Sequence, residues 1–70
     1  MRAGKILFND KRSVIDCMVR NVSRNGACLL VAGVVGVPTA FELKIEGEGA
    51  SRPCKIVWHT QNRIGIEFSS

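Results

Sequence analysis

The sequence predicts an all-β domain, a small antiparallel barrel of five or six short strands. Three observations predict it. Apolar residues recur with a period of two, and no segment keeps a helical period of 3.6 over a useful length. Turn residues separate the runs by a few positions, too few for the crossover helices that parallel strands need. A chain of 70 residues has room for one domain over 1–70. In so small a sheet, closure removes the edges that an open sandwich would expose.

The elements follow in order. "KILF" (5–8) is a short apolar run that stops at the turn pair Asn9-Asp10. "SVIDCMVRNVS" (13–23) alternates, with Ile15, Cys17 and Val19 on one face and Asp16, Met18 and Arg20 on the other. Asn25-Gly26 reads as a turn dipeptide, since both residues tolerate positive φ, and "ACLLVA" (27–32) returns as the next strand. Glycines and Pro38 punctuate 33–40. "FELKIEG" (41–47) places Phe41, Leu43 and Ile45 inward and Glu42, Lys44 and Glu46 outward. "RPCKIVWHT" (52–60) places Cys54, Ile56 and Trp58 on one side, and "RIGIEF" (63–68) closes with Ile64, Ile66 and Phe68 aligned.

Composition narrows the function. Hydrophobic residues make up 46% and charged residues 23%, the balance of a folded domain rather than a disordered one. A domain this short buries only ~60% of its unfolded surface, so its stability is thin. The 3 cysteines, Cys17, Cys28 and Cys54, are odd in number and lack framework spacing. They read as buried small side chains in a reducing compartment, and a cytoplasmic location is expected. With no CxxC pair and a single His59, a structural zinc site is not expected. The start lacks an apolar stretch long enough for a signal peptide. The weakly apolar 26–41 region is broken by glycines and Pro38 and falls short of the ~20 residues of a membrane helix.

The net charge of +4 favours an anionic partner. Nucleic acid is disfavoured, because base stacking needs exposed aromatics. The chain has 3 Phe, 1 Trp and no Tyr, and alternation turns all but one of these inward. Catalysis is not expected either: no H-E-x-x-H, no G-x-S-x-G and no Cys beside the single His supply a nucleophile with its base.

One segment stands out. In "RNVSRNG" (20–26) an amide, Asn21, and a hydroxyl, Ser23, leave the end of a strand and offer donors and acceptors. Gly26 permits a tight turn and close backbone approach. Arg20 and Arg24 lie alongside, suited to a phosphate or a guanine edge. The same residues also serve as a plain hairpin turn.

The sequence resembles the PilZ domain family, bacterial modules associated with cyclic di-GMP. "CMVRNVSRNGACLLV" matches the family's strand, [D/N]-x-S-x-x-G turn and following strand; "PTAFELKI" and "RPCKIVWHTQNRIGIEF" resemble its later strands, so the likeness covers roughly 5–68. The resemblance implies a six-stranded antiparallel barrel and a non-enzymatic receptor. It implies that Asn21, Ser23 and Gly26 meet the ligand, with Arg2, Arg20 and Arg24 near its phosphates. No other cofactor is expected. It further implies a protein partner in motility, exopolysaccharide or biofilm control. The chain departs from the family's R-x-x-x-R element: Arg2 stands alone at the start, and Lys5 follows three residues later. Weakened affinity is the expected consequence, since lysine lacks arginine's planar fork. The alternative is an adaptor that works through protein contacts, with Val14, Met18 and Val22 on an outward face as a partner or homodimer surface.

Overall fold

The computed structural model describes residues 1–69. Six strands, β1 (Arg2–Phe8), β2 (Ser13–Arg20), β3 (Gly26–Leu30), β4 (Ala40–Ile45), β5 (Arg52–His59) and β6 (Arg63–Phe68), form a closed barrel in the order β1-β2-β3-β6-β5-β4. Every pairing is antiparallel. The barrel and its strand count agree with the sequence reading. No helix among the described residues is long and apolar enough to cross a membrane.

Alternation sets the core. Ile6, Val19, Leu29, Leu43, Ile45 and Ile64 are all but fully enclosed, and Cys17, Cys54, Phe41, Ile66 and Phe68 complete the filling. Among the described residues, no polar or charged side chain is buried with them. The barrel holds together by removing apolar surface from water, at roughly 25 cal/mol per Å².

The β1–β2 hairpin turns where Asn9-Asp10 predicted. Asn9, Asp10 and Lys11 all have left-handed φ values of 53°, 56° and 68°, and Arg12 N–H donates to Asn9 O at 3.0 Å. Asn and Asp tolerate that region, whereas Lys11 adopts it at a cost the hairpin must cover.

The β3–β4 connection (31–39) crosses one end of the barrel. Val34 N–H donates to Gln61 O at 2.9 Å, and Val34 and Val37 pack onto the core as a lid over that end. The other end carries the starts of β1, β3 and β5 and the β2–β3 corner.

One alternation is broken. In β5 the pairs run Ile56 with Ile66, then Trp58 with Gly65, which leaves Val57 as an extra, bulged residue. The sequence reading placed Trp58 inward with Cys54 and Ile56. The bulge reverses it: Trp58 lies outside and is 49% exposed.

Candidate functional site

The β2–β3 corner is built from the residues that the sequence singled out. Arg20 ends β2 on the outer face. Asn21 then reverses the chain in the left-handed region, φ 55°. Ser23 organises the rest. Its amide donates to Gly26 O at 2.8 Å. Its hydroxyl accepts from the Asn25 and Gly26 amides and donates to Gly26 O, each at 3.3 Å. A hydroxyl has one proton and two lone pairs, so the loop's own backbone occupies all of them. Ser23 therefore shapes the corner, and Asn21 and Asn25 are its exposed amide residues.

Asn25 O accepts from Phe68 N–H at 2.8 Å, which pins the corner to β6. The sequence reading made Asn25-Gly26 the turn dipeptide, since both residues tolerate positive φ. The structure puts the left-handed residue at Asn21 and makes Gly26 the first residue of β3. The need for glycine is steric: a Cβ at Gly26 would run into the carbonyl oxygen of Ile66. β3 approaches β6 too closely there for any side chain.

Arg20 and Arg24 are exposed, and among the described residues neither has an ion-pair partner. Arg2 reaches the same end of the barrel, because its register partner is Val19, the neighbour of Arg20. Its guanidinium, however, pairs with Glu48 in the β4–β5 loop at 3.3 Å. That exposed pair is worth about 0–1 kcal/mol and leaves Arg2 readily recruited. The structure thus brings Arg20, Asn21, Ser23, Arg24 and Gly26 into one corner, with Arg2 beside it but turned away.

The register adds a residue that the sequence reading missed. Arg20 pairs with Cys28, Cys28 with Gly65, and Gly65 with Trp58. These four form one transverse row across the outer face of β2, β3, β6 and β5. A Cβ on Gly65 would overlap the Trp58 indole, so the ring lies flat over the glycine. The row carries a free guanidinium at one end and an aromatic plate at the other, with half-buried Cys28 between them. The signal was present in the sequence as Gly65 between Ile64 and Ile66, but only the bulge at Val57 aligns it with Trp58.

Arg52 closes the barrel end beneath the corner. Its guanidinium carbon stands 3.7 Å from the Phe68 ring centroid, a cation–π contact that covers the core. Cys17 and Cys54 are chemically quiet. Burial is the main cause pushing their thiols up, to about 11 and about 12, so they are not thiolates at neutral pH. Among the described residues, no group of three or more His, Cys, Asp or Glu could hold a metal ion.

Apolar side chains fill the barrel, and the corner and the row lie on its outside. The family model of the PilZ domain matches residues 3–70, and the chain belongs to the PilZ domain family. This is a family of cyclic di-GMP-binding receptors and adaptors rather than of catalysts. No curated protein and no solved structure gave a match.

Proposed function

We propose that the protein is a cyclic di-GMP receptor that takes its ligand on the outer face between the β2–β3 corner and Trp58. The row from Arg20 to Trp58 carries this reading. A guanine dinucleotide needs a flat apolar platform for a base, cations for phosphate, and an amide for a base edge. Trp58 supplies the first, Arg20 and Arg24 the second, and Asn21 the third. Ser23 and Gly26 hold the corner in shape. Arg2 leaves Glu48 to join the phosphates, and the lack of a second arginine near it keeps the affinity modest. The module acts without catalysis, and its output is an altered protein contact in motility or exopolysaccharide control.

Titration calorimetry with cyclic di-GMP tests this. Binding is expected, with Arg20→Ala weakening it about 10- to 100-fold through loss of a charge-assisted hydrogen bond. Trp58→Ala is expected to weaken it by about tenfold or more through loss of stacking. Absence of heat at high ligand concentration overturns the proposal, as does affinity unchanged in both variants.

The adaptor reading is favoured by a different observation. Val14 and Met18 on β2 and Val22 in the corner are 51%, 39% and 44% exposed. In that reading the corner is only a turn, and cyclic di-GMP gives no heat.

A further inference from the structure

The outer face of β1 and β2 is patterned in a way that ligand binding leaves unused. Register pairs Leu7 with Val14, Lys5 with Asp16, and Ala3 with Met18. All six side chains point outward, opposite to the buried Ile6, Cys17 and Val19. The face is therefore three rungs: apolar, charged, apolar. Lys5 Nζ donates to Asp16 Oδ1 at 2.7 Å, with both side chains largely in water. Beside Ala3, a groove of about 430 Å³ runs over the Gly4 backbone between Met18 and Lys44.

We infer that this face is the contact surface for a second copy of the same chain, in a two-fold symmetric dimer. The face is complementary to itself. Consider a two-fold axis parallel to the strands, lying between β1 and β2 in the plane of contact. It sets β1 of each copy against β2 of the other and keeps every rung at its own height. Leu7 then faces the partner's Val14. Lys5 faces the partner's Asp16, so the central rung becomes a square of four charges with opposite signs across the interface. Ala3 faces the partner's Met18, and the flexible thioether chain fills the groove over Gly4. An isologous interface requires such self-matching, because each contact occurs twice. An axis along β1 itself would set Lys5 against Lys5, so the charges select between the two arrangements.

The barrel's convexity confines the contact to these two strands. A standard interface takes about 800 Å² from each partner. That is just under a fifth of this protein's 4505 Å² surface, more than two short strands present. The dimer is accordingly a weak, concentration-dependent one. Its geometry leaves Cys28, Gly65 and Trp58 open, while Arg20 lies on β2 just beyond the Met18 rung, so the test is made without nucleotide.

Sedimentation equilibrium over a concentration series, without nucleotide, tests it. The wild-type protein is expected to pass from monomer to dimer as concentration rises. Lys5→Asp and Asp16→Lys, each alone, bring like charges together across the interface and are expected to stay monomeric. An equimolar mixture of the two restores opposite charges at both contacts and is expected to regain the dimer. A purely structural role for the ion pair gives no such rescue. Met18→Glu, on an exposed site, is expected to remain folded and monomeric, and it serves should either charge variant fail to fold. A wild-type protein that is monomeric at every concentration overturns the inference. So does a Met18→Glu variant that dimerises like the wild type.

Discussion

The two eight-residue strands, β2 and β5, solve opposite problems. β2 alternates without interruption: Ile15, Cys17 and Val19 turn inward, and Val14, Asp16 and Met18 turn outward. β5 alternates from Cys54 to Ile56 and then stops, because Val57 is inserted between two ladder pairs. Beyond it, Val57 and Trp58 both face outward, 54% and 49% exposed. The unbroken strand yields a regular rung pattern suited to another flat surface. The bulged one yields a single re-aimed aromatic, seated on a glycine. One extra residue thus moves to the outer face a side chain that plain alternation would put in the core.

Emptying the core beside the bulge should have the largest effect. Ile64→Ala removes a fully buried side chain paired with His59 just beyond Val57. A loss of about 2–5 kcal/mol is expected, against a typical total of about 5–15 kcal/mol. Urea denaturation followed by fluorescence of the single Trp measures it. Deleting Val57 makes the ladder regular, with the indole directly after Ile56 and still outward opposite Gly65, so it is expected to cost much less. A deletion as costly as Ile64→Ala would mean that the bulge does more than insert one residue.

Disturbing the seat should matter less. Gly65→Ala puts a methyl group where the indole lies. The ring is half exposed and can swing away, so a cost of about 1–3 kcal/mol is expected. In a double-mutant cycle, Trp58→Ala should relieve most of that cost, a coupling of about 1–2 kcal/mol. Additive effects would show that the two residues do not touch. Gly65→Ala should also weaken cyclic di-GMP binding if the flat indole is the platform.

The inward positions that both strands share give the smallest effect near neutral pH, where it vanishes, and act only in alkali. Cys17 on β2 and Cys54 on β5 keep their protons in the folded barrel until about pH 11 and about pH 12, against an ordinary thiol value of 9.0. The unfolded chain releases those protons first, so between 9 and 12 it binds fewer than the folded chain. Rising pH therefore favours unfolding. Stability should be steady up to about pH 9 and then fall by about 1 kcal/mol per pH unit for each thiol. Lys5, whose ammonium is held charged chiefly by its hydrogen bond to Asp16, titrates in the same direction. Denaturant midpoints across this range check the slope, and Cys54→Ala should make it shallower.

How much of this was legible follows from the reach of each interaction. The Asn9-Asp10 turn, the inward set on β2 and the Asn21–Gly26 corner depend on neighbours in sequence, and each was readable there. Gly26 was singled out as a turn residue that allows close backbone approach, and the segment that approaches it is β6. Its lack of a side chain serves Ile66, forty residues away, rather than its own φ. The turning of Trp58 was misread for the same cause: a bulge is a property of a pair of strands, and one strand alone does not reveal it. The pairing of Arg2 with Glu48 joins residues 46 positions apart and was not readable from the sequence.

By itself, then, the sequence determined the period-two pattern, the turns and hence an all-β barrel with its apolar interior, because side-chain alternation and turn chemistry are local. Only the tertiary structure decided which outward residues share a row. Placing Arg20 in line with Trp58, or Lys5 beside Asp16, requires the register of paired strands, and register is fixed by hydrogen bonds between segments far apart in the chain.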